Sequence, residues 1–209
     1  MAEEVLIDAT GVVGQRGPAE HKRRQQILQA ADELFRLYGY RKTTLADIAK
    51  SLDLSTPYIY KFFESKQAVG EAICSHCLGA ILGDIAKSVD AAKSPVDKLR
   101  RVFMGLEGKA WMVRCEHRKI YDMVAASFAE GWESVARFKE GIFQLIRKVI
   151  VEGRASGAFE RKTPLEETAR AIARMTELFY HPTLLDEAGK DQKEEALAVA
   201  NVALRSLTA

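Results

Sequence analysis

Residues 43–66 read T-T-L-A-D-I-A-K-S-L-D-L-S-T-P-Y-I-Y-K-F-F-E-S-K. This is two short helical patterns joined by a tight turn, each with its own start signal. Thr44 precedes an apolar-periodic run, and Asp47 three residues on completes a capping box. Leu45, Ile48, Ala49 and Leu52 then fall at helical spacing on one face. Ser55 is a second N-cap, and Pro57 follows in the first turn, where its missing N–H costs little. Ile59, Phe62 and Phe63 supply the buried side of this second helix. Thr56, Pro57, Tyr58, Tyr60 and Lys61 form its other side, a hydroxyl-bearing, aromatic and cationic face suited to a polar, anionic surface. Two such helices about one turn apart form a helix-turn-helix, a motif whose second helix enters the DNA major groove.

The flanks extend the pattern. Upstream, Arg23, Arg24, Ile27, Leu28, Ala31, Leu34, Phe35 and Tyr38 make an amphipathic helix, with Gly39 at the C-cap. Downstream, Ser65 caps a longer helix, and its free N–H groups together with Lys66 suit a phosphate oxygen. Residues 23–73 resemble the DNA-binding domain of the TetR family of bacterial repressors. The resemblance is carried by I-L-Q-A-A-D-E-L-F with G-Y (27–40), T-T-L-A-D-I-A (43–49) and L-S-T-P-Y-I-Y-K-F-F-E-S-K (54–66). It implies phosphate contacts from Thr44, Tyr60 and Lys66. Arg41 and Thr43 belong to the basic, hydroxyl-bearing lead into the first helix of the motif. Ser55, Thr56, Pro57, Tyr58 and Lys61 lie where base edges or their sugars are reached, a Thr methyl or Tyr ring against thymine and a lysine against guanine.

Charge supports the same segment. The chain of 209 residues has a net charge of only +2, yet residues 21–66 hold nine Lys/Arg against five Asp/Glu. Residues 1–20 are acidic on balance, so positive charge is concentrated where DNA contact is expected. The 47% hydrophobic and 29% charged fractions are those of a soluble globular protein. No unbroken apolar run of membrane-spanning length and no signal peptide are present, so a cytoplasmic location and no membrane partner are expected.

Helical periodicity runs from Glu20 almost to the end, and no strand-length alternation occurs. The fold class is all-α, with about nine helices. Residues 1–19 read as a flexible arm, 20–66 as the helix-turn-helix domain, 66–90 as a linking helix and 91–209 as a second domain. Ser94-Pro95-Val96-Asp97 is another capped start. The family resemblance extends to G-x-x-x-G-x-F at 153–159, and it implies that the second domain binds a small effector and makes a homodimer. Adaptable aromatic and sulfur side chains in that region are the pocket candidates: Phe103, Trp111, Met112, Cys115, Met123, Phe128, Trp132, Phe138, Met175 and Phe179. The last helices are too apolar for a free surface. Leu165, Ile172, Ala196, Val199, Ala200, Ala203, Leu204 and Leu207 are therefore expected at the dimer interface.

Cys74 and Cys77, three residues apart, lack a second ligand pair, so packed thiols are expected rather than a metal. Four scattered histidines assemble no catalytic arrangement, and no glycine-rich phosphate loop is present. Neither an enzyme nor a cofactor is expected. The leading expectation is a ligand-responsive repressor acting as a homodimer on a palindromic operator. The alternatives are a ligand-independent activator or nucleoid protein, and a helical ligand carrier or enzyme with an incidental helix-turn-helix.

Overall fold

The N-terminal helix α1 (Pro18–Tyr38) starts on a proline two residues before the expected boundary, and it ends at Gly39, whose φ of 91° no side-chain-bearing residue adopts comfortably. The structure, a computed structural model, describes residues 17–116, 118–187 and 192–208, and their side chains apart from those at 111–116, 118, 186 and 187. Most of the expected arm, residues 1–16, lies outside these. Among the described residues there are ten α-helices and no strand, one helix more than the sequence suggests.

The helix-turn-helix forms as its start signals require. In α2 (Leu45–Ser51) the capping box is complete: Asp47 N–H donates to Thr44 Oγ1 at 3.2 Å, and Thr44 N–H donates to the Asp47 carboxylate at 2.8 Å. Replacing Thr44 by Ala should therefore cost about 1 kcal/mol in urea unfolding. Asp53, with φ of 53°, makes the turn. The second helix, α3 (Thr56–Ile59), is a single turn rather than the longer helix expected. Beyond it Lys61 and Phe62 N–H bond three residues back, which tightens the chain and turns Phe63 inward.

The long α4 (Lys66–Asp90) joins this motif to the rest. By length and composition it could cross a membrane, yet Val69, Ile73, Leu78, Ile85 and Val89 are buried against α1 and the helices that follow. Next come α5 (Pro95–Glu116), α6 (Arg118–Ala129), α7 (Glu133–Ala155) and α8 (Leu165–Thr176). A 3₁₀ turn at Glu177–Phe179 then leads to α9 (Pro182–Glu187) and α10 (Gln192–Leu207). Ser94 Oγ caps α5 by accepting from Asp97 N–H at 3.1 Å, as read from the sequence. Helix α9 is the extra element; Pro182 stands at its first position, where proline begins a helix as readily as it ends the one before.

Helices α4, α5 and α7 pack on one another, with α8 laid on α7 and α10 on α5. The G-x-x-x-G-x-F segment closes α7. Gly157 takes a φ of 78°, and the Phe159 ring covers Gly153 so closely that a Cβ there would lie 2.0 Å from it.

The inner face of α10 corrects one expectation. Ala196, Ala200, Ala203, Leu204 and Leu207 are buried within the protomer, as is Ile172 of α8. Small residues at this spacing let α10 lie close along α5, so the apolar signal is that of a core. Leu165 and Val199 are half-buried, and the apolar side chains that α10 turns outward are Leu197 and Val202.

Candidate nucleic-acid interface and effector cavity

One side of the helix-turn-helix is core and the other is open. Leu45, Ile48, Ile59 and Phe63 face inward, packed with Ile27, Ala31 and Phe35 of α1. Arg41, Ser55, Pro57, Tyr60 and Lys61 are exposed, and Thr56 and Tyr58 are half-exposed. Ser55 begins α3 without spending its hydroxyl on a cap bond. The Tyr58 ring leans on Phe62 at 5.5 Å and carries the Lys61 ammonium above it at 5.3 Å, which holds both on the outer side. These seven residues form a single hydroxyl-bearing, aromatic and cationic rim.

Two expected DNA contacts sit differently. Thr43 is buried, and its hydroxyl donates to Gly39 O at 2.9 Å; its side chain fixes the turn after α1 and does not reach a surface. Thr44 is exposed, but both its O–H and its N–H are given to Asp47. These bonds hold the Asp47 carboxyl below the usual range. Lys66 reaches back across the motif to Tyr40 O at 3.1 Å and Arg41 O at 3.4 Å, with its ammonium 4.6 Å above the Tyr40 ring. An ammonium has three donors, so one N–H remains for an anion while two secure the turn.

In the second domain a cavity of about 50 Å³ opens among α4, α5, α6 and the segment after α8. Its walls are almost wholly apolar: Leu78, Ile81, Leu106, Val124, Phe128 and Phe138 among them, with Tyr121 and Tyr180. Among the described residues Lys109 is the cation in its wall, and its ammonium is paired with Asp84 at 2.7 Å. Tyr121 O–H donates to Pro182 O at 2.8 Å, tying α6 to α9.

Of the pocket candidates, Phe128 and Phe138 line this cavity. Phe103 does not: it is fully buried, edge-on to Phe179 at 6.2 Å, and both are core. Met123 is buried core, and Met175 is half-buried away from the cavity. Trp132 is buried at the junction with the DNA-binding motif, its ring 5.5 Å from that of Tyr40. The side chains of Trp111, Met112 and Cys115 lie outside those described. Periodicity shows which face of a helix is buried, but a cavity wall and a filled core share that signal. Leu78, Ile81 and Leu106 were accordingly missed.

Cys74 and Cys77 are packed thiols. Burial pushes both up, Cys77 to about 11 with the help of the neighbouring Asp32 carboxylate. Burial thus favours the thiol over the thiolate at both positions, the reverse of the shift that activates a cysteine. Among the described residues no group of His, Cys, Asp or Glu could hold a metal ion.

An open helix-turn-helix rim carried on a helical domain with its own apolar cavity defines a DNA-binding regulator. Residues 27–73 match the N-terminal domain of the tetR family of bacterial regulatory proteins, and residues 95–199 match a tetracycline-repressor-like C-terminal domain. The chain belongs to the tetR family of bacterial regulatory proteins. It is 27% identical over 157 residues to the transcriptional repressor KstR2 of Mycolicibacterium smegmatis, which spans 72% of this chain and 74% of that one. Its fold is shared with FadR of Bacillus subtilis in complex with stearoyl-CoA, at 16% identity and a TM-score of 0.63 over 88% of this chain and 98% of that one. Thermus thermophilus FadR in complex with lauroyl-CoA is similar too, at 23% identity and a TM-score of 0.62 over 90% and 96%.

Proposed function

We propose that the protein represses transcription in the cytoplasm as a two-fold homodimer, releasing a near-palindromic operator when an apolar effector enters the second domain. The open rim of Arg41, Ser55, Thr56, Pro57, Tyr58, Tyr60 and Lys61 carries this reading. Tyr60 and the remaining Lys66 N–H serve phosphates and set register, while Thr56, Pro57, Tyr58 and Lys61 read bases. Two-fold symmetry sets the half-sites a whole number of turns apart, each turn about 34–36 Å. The protomers meet through the outward sides of α8 and α10, where Leu197 and Val202 are 39% and 57% exposed.

The effector class follows from the cavity. Its walls offer an acyl chain or fused ring almost nothing to hydrogen-bond, and the acyl-CoA complexes of the two FadR proteins support the same class. At about 50 Å³ the cavity is far below the roughly 300 Å³ at which small-molecule sites begin, so binding must widen it. An effector acts only through different affinity for two arrangements of the protein, and a cavity that opens on binding supplies that difference.

The test is fluorescence anisotropy with DNA flanking the protein's own coding region. Selective, salt-dependent binding is expected, weakened by lauroyl-CoA as an apolar probe. Tyr60→Ala should weaken binding to all sequences alike by about 1–2 kcal/mol. Lys66→Ala should lower the slope of log affinity on log salt by about one, while Lys61→Ala should relax discrimination between sequences. Binding that ignores both sequence and these substitutions would sink the reading.

A further inference from the structure

We propose that Trp132 is the positioning residue through which occupancy of the cavity beside Phe128 reaches the helix-turn-helix. The proposal rests on the ligand-responsive reading and adds the route by which it works. Phe128 and Val124 of α6 stand in the cavity wall. Phe128 is held there by Tyr180 at 6.2 Å, His181 at 5.1 Å and the Lys139 ammonium at 5.5 Å. Four residues on, Trp132 stands at the N-cap of α7. The intervening turn is stiff: Gly131 has a φ of 66°, its N–H bonds Phe128 O at 3.3 Å, and Trp132 N–H bonds Ser127 O at 2.9 Å. A displacement of the end of α6 therefore carries Trp132 with it.

Trp132 sits against the DNA-binding motif and not in the cavity. It is 2% exposed, its Nε1–H donates to the Glu130 carboxylate at 2.8 Å, and its ring meets Tyr40 edge-to-face. Tyr40 stacks in turn on Phe35 of α1 at 5.2 Å and lies beneath the Lys66 ammonium. The next residues, 41–44, lead directly into α2. The seat beneath the indole is Gly70 of α4, where a Cβ would lie 2.7 Å from the Trp132 ring and 2.9 Å from Tyr40. Beside it, Glu71 accepts from Ser134 N–H at 2.6 Å and so fixes the start of α7 to α4. Helix α6 also packs directly on α1 and α4, and its bond from Lys119 to Leu37 O is exposed to solvent, where a single bond transmits little. The buried aromatic seat is the stiffer connection.

The experiment is a pair of double-mutant cycles read by anisotropy on the upstream DNA. Val124→Phe fills the cavity from α6, and Gly70→Ala unseats the indole. Each should weaken DNA binding about tenfold, within the range of ordinary two-site coupling. In a Trp132→Leu background Val124→Phe should change affinity less than about twofold, because the connecting ring is gone, and Gly70→Ala, whose Cβ still meets Tyr40, should lose part of its effect. Equal losses with and without Trp132, or no loss from either substitution, would overturn the proposal while leaving DNA binding by the wild type intact. Failure of the wild type to bind DNA would instead overturn the regulator reading, and this inference with it. A second readout leaves residue 132 unchanged. With Trp111→Phe, Trp132 is the sole tryptophan, and its emission should shift on DNA binding and shift the opposite way on adding Val124→Phe. Emission that stays fixed through both would overturn the proposal even if Trp132→Leu failed to fold.

Discussion

Ala200→Asp is expected to destabilise the fold by about 3–5 kcal/mol. Ala200 has no exposed surface, and α10 lies there along α5. A carboxylate at that site has no partner, and an uncompensated buried charge costs about 3–5 kcal/mol. A domain of this kind has roughly 5–15 kcal/mol in total, so the loss takes a large share of its margin. Circular dichroism during urea unfolding checks it. A soluble, folded dimer with an unchanged midpoint would mean that α10 is not anchored as described. Val202→Asp provides the contrast. Val202 is 57% exposed on the outward side of the same helix, so this chain should fold normally. Sedimentation should then find monomers, and operator binding should fall with the dimer.

Phe103→Ala should cost about 3–5 kcal/mol of stability, as expected for a fully buried phenylalanine truncated in a packed core. It removes the ring that meets Phe179 and leaves a void between α5 and the 3₁₀ turn. Phe128→Ala should cost less than half as much, because that ring is only partly buried and already borders the cavity. Its main effect should be on the concentration of lauroyl-CoA that releases DNA. Equal stability losses from the two would place Phe128 in the core as well, and the effector seat would have to be sought elsewhere.

The two phenylalanines show where sequence reading stops. Both fall at helical spacing on apolar faces, and nothing local separates the one that fills the core from the one that walls a cavity. The difference is made by helices distant in sequence, α4 and the segment after α8, and by the volume left between them. Trp132 is the sharper case. Its composition marked it for the pocket, but its place is set by Gly70 and Tyr40, more than sixty residues upstream. The apolar face of α10 was legible as buried, while its partner was not, since a helix hides an alanine face equally well against its own chain or a second copy.

What the sequence determined by itself is everything governed within a few residues. The capping box of Thr44 and Asp47, the prolines in the first turns of α3 and α5, Gly39 and Gly157 at positive φ, and the period of the apolar faces are all short-range. They define the helices and the two helices of the DNA-binding motif, together with its open, basic side. Tertiary structure decided that Thr43 is buried, that two of the three Lys66 donors are spent on the turn, and that Trp132 is seated against Tyr40 and Gly70. Those outcomes depend on contacts between segments far apart along the chain. Such contacts are chosen by shape and volume in the folded protein, which no local pattern encodes.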